Sequence, residues 1–347
     1  MVERLAHTMI EKGVLLGVSD VHILPLETGY GVYFRAQGYL EPCDSLSDEQ
    51  GKRLISYFKF AANMDVGEKR HPQSGASEMQ LAEEVVELRF STMTNVRLKE
   101  SLVIRILRQQ QSNLAELGSY YPSDIPVLER LIQRKSGLVL FSGPVGSGKT
   151  TTIYQLLRTR SHKETLQVIT MEDPVELYDE RFLQTEVNEA SGITYDVLIK
   201  ASLRHHPDIL LIGEIRDEET ARMAIRGALT GHLMIATIHA KDALGVMARL
   251  EELQISPEQM KQSLIGVISQ RLLPRYCNLC QGRCHRYCQH IPSERKRSAL
   301  LEILSGPALQ KYFDTGEADY LRLNQRLKKV WAYGYIDTET YLHFELV

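Results

Sequence analysis

No stretch of this 347-residue chain stays apolar long enough to cross a bilayer as a helix. The opening residues, Met1-Val2-Glu3-Arg4-Leu5-Ala6-His7, hold no apolar signal core. Both absences give the expectation of a cytoplasmic chain, where ATP and reduced thiols are present. A strong excess of charge is missing too. Lys and Arg number 41 against 44 Asp and Glu, a formal net charge of −3. That speaks against bulk nucleic-acid binding, which needs a strongly basic face, so no direct nucleic-acid partner is expected. Cysteine is scarce: of five, four crowd between 277 and 288. Such a cluster suits a metal or free thiols better than a disulfide framework. Internal repeats and low-complexity segments are absent. The remaining composition is that of an ordinary globular protein, and the length favours two domains over one.

What is present centres on Gly143-Pro144-Val145-Gly146-Ser147-Gly148-Lys149-Thr150. It fits G-x-x-x-x-G-K-[ST], the phosphate-binding loop. The apolar run 137–142 before it reads as a buried strand, and the stretch from Lys149 through Thr151 to Leu157 reads as a helix. Strand, glycine loop and helix come in the order the chemistry needs. Glycines let successive backbone N–H groups point inward around phosphate oxygens, and the helix start adds partial positive charge. Lys149 is placed to reach the β- and γ-phosphates, and the Thr150 hydroxyl to hold Mg²⁺. ATP and Mg²⁺ are therefore the expected ligands.

Three further apolar runs, 167–171, 209–212 and 233–237, each end in polar residues. Helical stretches such as 217–229 lie between them. Strands alternating with helices predict a mainly parallel sheet covered on both faces, with ligands beyond the carboxyl ends of its strands. The rule separates two carboxylates that flank one strand. Asp208 precedes it and falls at the far end, while Glu214 follows it and is the better Mg²⁺ or water partner. Glu172, Asp173 and Glu176 follow another strand. Glu172, first off that strand, is the expected general base. Asp173 and Glu176 read equally well as carboxylates that orient the attacking water or as helix-start charge and subunit salt bridges. His239 follows its strand at the phosphate end and is a candidate γ-phosphate sensor; His232 precedes the same strand and is a weaker one.

Residues 1–108 read as a small α+β domain. Residues 2–17 show helical spacing, 19–23, 30–40, 85–91 and 101–107 read as strands, and Ser47 with Gln50 forms a capping box ahead of a second helix. Arg35, Arg89 and Arg105 stand at strand positions. Each reads either as a solvated or paired side chain or as an arginine reaching a γ-phosphate, in cis or from a neighbouring subunit. Residues 109–124 read as a linker, 125–290 as the nucleotide domain, and 291–347 as a C-terminal helical subdomain.

Taken together, these boxes resemble the type II secretion and type IV pilus assembly ATPases. The resemblance is carried by the phosphate loop at 143–150, by Met171-Glu172-Asp173-Pro174-Val175-Glu176, by Leu211-Ile212-Gly213-Glu214-Ile215-Arg216-Asp217, and by Thr230-Gly231-His232 through Thr237-Ile238-His239-Ala240. Ser19-Asp20-Val21-His22-Ile23 and Gln270-Arg271-Leu272 match two further family segments. The resemblance covers nearly the whole chain. It implies a RecA-like phosphate-loop domain with a mainly parallel central sheet, preceded by a small α+β, PAS-like domain. It also implies a homohexameric ring on the cytoplasmic side of a polytopic membrane platform protein, turning ATP hydrolysis into domain motion. Glu172 and Glu214 would carry the catalysis, and Arg89 and Arg105 would complete the nucleotide site. The family often has Gln-Asp-Gly-Arg ahead of these arginines; here Gln73-Ser74-Gly75-Ala76 stands instead. The chain shows no extra N-terminal docking domain of the longer members. In that short form, with its cysteines, it is most similar to the competence pseudopilus ATPases of Gram-positive bacteria, which support DNA uptake. Alternatives are a pilus-retraction ATPase, a DNA translocase, or a nucleotide-dependent scaffold with little hydrolysis.

Cys277, Cys280, Cys284 and Cys288 have the spacing C-x2-C-x3-C-x3-C. The first pair makes a good zinc knuckle, and thiolates suit Zn²⁺. His285 and His290 are spare ligands, and reduced structural thiols are the other reading.

Overall fold

The structure, a computed structural model, describes residues 2–36, 38–82, 84–108, 118–284, 287–288, 290–292 and 295–346. The chain divides into two compact units, Met1–Asn113 with His285–Lys296, and Leu114–Cys284 with Arg297–Val347.

In the first unit, α1 (Val2–Leu15) buries Met9, Ile10 and Val14 along one stripe, as the periodicity predicts. It is followed by β1 (Val18–Pro25), β2 (Tyr30–Ala36), β3 (Tyr39–Leu46), α2 (Asp48–Ala61), β4 (Gln73–Gln80), β5 (Val85–Thr94) and β6 (Glu100–Arg108). Among the described residues these strands make one antiparallel sheet in the order β3-β2-β1-β6-β5-β4. The capping box of α2 is formed: Ser47 Oγ accepts from Gln50 N, and Gln50 Oε1 accepts from Ser47 N at 3.0 Å. One sheet face packs on α1 and α2 through Val21, Ile23, Phe34, Leu54, Phe58, Leu88 and Ile104.

The second unit runs α3 (Asp124–Ile132), β7 (Gly137–Ser142), α4 (Lys149–Lys163), β8 (Val168–Glu172), β9 (Phe182–Glu186), α5 (Tyr195–Ser202), β10 (Ile209–Ile215), α6 (Glu218–Leu229), β11 (Leu233–Ile238), α7 (Ala243–Glu252), α8 (Pro257–Ser263) and β12 (Leu264–Pro274). A short hairpin, β13 (Tyr276–Cys277) with β14 (Gly282–Arg283), precedes β15 (Arg297–Ser305), α9 (Gly306–Thr315), α10 (Leu323–Ala332) and α11 (Thr338–Phe344). The described strands order as β15-β12-β7-β11-β10-β8-β9. All neighbours are parallel except β12 and β15.

Both faces of this sheet are buried, which is why its strands read as unbroken apolar runs. Leu138 and Leu140 of β7 point into a core shared with α6, α7 and α8, and Val139 and Phe141 point to the opposite core beneath α3 and α4. The expected mixed α/β architecture, with a mainly parallel sheet preceded by a smaller α+β unit, is the one found.

Several elements differ from the reading of the sequence. Within 291–347, read as helical, residues 297–305 form β15, paired with β12 along its length. The edge strands β3 and β4 and the short β9 were not anticipated. Of the expected linker, 109–117 lie outside the described residues. Residues 118 and 120 hydrogen-bond to the strand at Ala299, with Tyr120 N donating to Ala299 O at 3.0 Å and Ala299 N to Gly118 O at 2.8 Å.

Candidate nucleotide site at the carboxyl ends of the strands

The phosphate loop leaves β7 through Gly143 (φ 144°), Gly146 (φ 75°) and Gly148 (φ 81°), angles that side chains rarely adopt. The requirement is sterically sharp at Gly143, where a Cβ would lie 2.4 Å from Gln270 O. At Gly146 a Cβ would meet nothing within 4 Å, so there the backbone angle alone asks for glycine. Pro144, Val145 and Gly146 form the exposed tip, while Ser147 is buried beneath it. Gly148 is the N-cap of α4, and no side chain caps that helix start. Its first amide groups, those of Lys149, Thr150 and Thr151, therefore begin the helix without a side-chain acceptor. Lys149 curls back over the loop, its Nζ donating to Gly143 O (2.8 Å) and Pro144 O (3.2 Å). Burial pushes its pKa down, and Glu214 and Glu176 pull it back up. This is a cradle of backbone donors with one cation and one β-hydroxyl, a donor set that fits a nucleotide triphosphate with Mg²⁺.

Glu214 is the penultimate residue of β10, and His239 is the first residue past β11. Their strands are neighbours, and His239 Nε2 lies 3.1 Å from Glu214 Oε1. The other carboxylate oxygen takes Arg216 Nε at 2.8 Å, and Arg216 Nη1 reaches Asp173 Oδ2 at 3.0 Å. The structure thus brings three strand ends to one charged cluster, and Lys149 from the loop after β7 feels the Glu214 charge. Asp217, the last residue of the third box, is the N-cap of α6 and accepts from Thr220 N at 2.8 Å.

Glu172 ends β8 at the same edge, but its side chain turns inward and is 4% exposed. Its Oε1 accepts from Tyr154 Oη (2.5 Å) and Thr170 Oγ1 (2.7 Å). Burial raises its pKa, and the hydroxyls of Tyr154 and Thr170 act against that rise.

Two of the candidates fall elsewhere. His232 lies at the start of β11, where its carbonyl accepts from Gly137 N at the opening of β7. Seven residues along an extended strand put it roughly 20 Å from His239, at the opposite edge of the sheet. It is therefore not part of this cluster, because a residue before a parallel strand cannot share an edge with one after it. Asp208 lies at that same far edge, as its place before the strand predicts, and accepts from Gln167 N at 2.8 Å.

Arg89 and Arg105 belong to the first unit. They are direct partners across β5 and β6, and Arg105 is in turn the partner of Asp20 on β1. Arg89 Nε lies 2.9 Å from Glu87 Oε1 and Arg105 Nε 3.1 Å from Asp20 Oδ1. Arg35 of β2 is the next partner in the row.

Reading the sequence missed three contributors. Gln270, matched above only as a family segment, donates from Nε2 to Ser147 O at 2.8 Å and so holds the phosphate loop from β12. Arg271 beside it donates to Gln270 O and to Lys241 O, at 3.0 and 2.5 Å, joining the strand under the loop to the turn after His239. Tyr154, buried in α4, engages Glu172. Register and rotamer place these contacts, and no local pattern signals them.

The second expected site is also compact. The Sγ atoms of Cys277, Cys280, Cys284 and Cys288 all lie within 4.8 Å of one another. Four thiols at that spacing are the donor set of a structural zinc site. Cys288 Sγ additionally lies 3.0 Å from His290 Nδ1; His285 is outside the described residues.

A phosphate loop on a mainly parallel sheet, with acidic and histidine side chains gathered at its strand ends, defines an ATPase of the phosphate-loop class. Residues 1–324 match the family described as type II/IV secretion system protein, and the chain belongs to it. It is similar to the competence protein ComGA of Bacillus subtilis (strain 168), 38% identical over 346 residues covering 98% of this chain and 97% of that one. It is 42% identical to ComGA of Streptococcus pneumoniae over 273 residues, 79% and 85% of the two chains. Among solved structures, the pilus retraction motor PilT with bound ADP superposes with a TM-score of 0.66 at 25% identity, covering 98% of this chain and 96% of that one.

Proposed function

We propose that this chain is a hexameric motor that hydrolyses ATP to drive assembly of a type IV pilus or pseudopilus for DNA uptake. The gathering of Lys149, Glu214, Arg216, Asp173 and His239 at one sheet edge carries the reading. In it, the amides of residues 143–151 and the Lys149 ammonium bind the phosphates. Thr150 and Glu214 hold Mg²⁺, which supplies charge neutralisation on the phosphate oxygens when bound. Glu172 accepts a proton from the attacking water. His239, beside Glu214, registers the presence of the γ-phosphate. Arg89 and Arg105 reach the transferred phosphoryl group from the first unit, of the same chain or of a ring neighbour. Hydrolysis then changes how the two units are held, and this domain motion does the work.

Likeness to the ComGA proteins, over nearly the full chain for that of Bacillus subtilis, supports assembly and competence over retraction. Among the described residues no helix is long and apolar enough to span a membrane. In this reading the motor works from the cytoplasm, attached to the membrane through a polytopic platform protein. The four cysteines hold one zinc ion that ties down the β13–β14 hairpin.

The test is phosphate release from ATP by the purified full-length chain. Turnover requires Mg²⁺, stops with EDTA and does not respond to added DNA; light scattering gives six chains, and metal analysis gives one zinc per chain. ATP bound tightly without turnover would replace the motor by a nucleotide-dependent scaffold. DNA-stimulated turnover with steep salt dependence would replace it by a translocase.

A further inference from the structure

Helix α4 starts at the phosphate loop, and its sixth residue is Tyr154. Packing gives no reason for a hydroxyl there. The ring is fully buried and lies 5.8 Å from that of Phe182, a contact phenylalanine would make equally well. The hydroxyl instead sits in a chain of buried polar groups. It donates to Glu172 Oε1 and accepts from Gln184 Nε2, at 2.5 and 2.7 Å. Gln184 on β9 also donates to Leu177 O and accepts from Asp179 N. One turn further along α4, Arg158 Nε donates to Asp179 Oδ2 at 2.7 Å. The connection between β8 and β9, which carries Asp173 and Glu176, is thus stitched to the phosphate-loop helix at two successive turns.

We propose that Tyr154 is a positioning residue for hydrolysis: its hydroxyl fixes the orientation of the Glu172 carboxylate against the phosphate-loop helix. The inference rests on the reading of Glu172 as general base. A carboxylate this deeply buried needs donors to stay ionised, and a neutral carboxyl cannot accept a proton. Tyr154 and Thr170 supply two donors to one oxygen. That arrangement also restricts rotation about the last side-chain bond. Because Tyr154 rides on α4, the position of the base follows the helix whose first turn holds the phosphates. Nucleotide binding itself uses the loop amides and Lys149, whereas the Tyr154 hydroxyl bonds to Glu172 and Gln184.

The experiment is steady-state ATP hydrolysis by the full-length chain carrying Tyr154→Phe, with affinity for a fluorescent ATP analogue measured on the same preparation. A hydrogen bond to a charged group predicts that kcat falls about 10- to 100-fold. KM and analogue affinity stay at the unaltered chain's values. Introducing Tyr154→Phe into a Glu172→Gln chain then adds no further loss, because the residue acts through that carboxylate. If Tyr154→Phe does not fold, Thr170→Val, which removes the other donor to Oε1, carries the same expectation. Unchanged kcat would overturn the proposal, as would equal losses of affinity and turnover. If Glu172→Gln itself turns over normally, the assignment of the base has failed, and the role of Tyr154 falls with it. If Glu172→Gln is inactive while Tyr154→Phe is not, only the positioning role has failed.

Discussion

The two edges of the seven-stranded sheet use the same residue types for different ends. At the carboxyl edge, Glu214 is held between His239 and Arg216, within the field of Lys149. At the amino edge, Asp208 accepts one backbone N–H and His232 offers its carbonyl to a neighbouring strand. An acid and a histidine occur at each edge: β10 has an acid at either end, Asp208 and Glu214, and β11 a histidine at either end, His232 and His239. The difference is strand direction. In a parallel sheet every segment leaving a strand emerges at one edge, so residues that follow different strands gather there.

The acids give the largest expected contrast. Glu214→Gln removes a charge from the metal and water side of the site, and hydrolysis should fall about 100-fold or more while ATP binding persists. Asp208→Asn should leave hydrolysis within about twofold and cost only about 1 kcal/mol of stability through a weakened hydrogen bond. Phosphate release and thermal unfolding on the same two variants decide it; equal losses of turnover would erase the distinction between edges. The histidines sharpen it at smaller scale. His239→Ala, which takes away one partner of Glu214, should slow hydrolysis about tenfold, and His232→Ala should not slow it. A slow His232→Ala chain would mean that this histidine acts on a neighbouring subunit's site.

The elements that frame this edge were legible because burial on both faces leaves its mark on composition. β7, β8, β10 and β11 are apolar runs ending in glycine, acid or histidine, and few other arrangements satisfy that pattern. The same property hid β15. Its core, Ala299-Leu300-Leu301, is apolar at consecutive positions and buried on both faces; from sequence such a run cannot be told from a buried helix. β3 and β4 were hidden for the opposite reason. As edge strands they pair on one side only, with β2 and β5, and alternate exposed with partly buried positions without an apolar run, β3 being interrupted by Pro42.

In the candidate site, the position of a residue relative to its strand correctly separated Glu214 from Asp208 and His239 from His232. Side-chain direction was beyond that rule. Glu172 comes first off its strand by sequence, yet its carboxylate turns back toward Tyr154 and Thr170 instead of outward with Glu214. The supports from Gln270, Arg271 and Tyr154 depend on partners up to 123 positions away in the chain. Spacing along a sequence carries no trace of such pairs.

The account stands on one spatial claim, that the triphosphate lies over the carboxyl edge. A structure of the full chain with Mg²⁺ and a non-hydrolysable ATP analogue tests it most directly. The account predicts the γ-phosphate within hydrogen-bonding distance of Lys149 Nζ, the metal at Thr150 and Glu214, and Glu172 still bonded to Tyr154. An analogue bound away from that edge, or a metal held without Thr150 and Glu214, would contradict it.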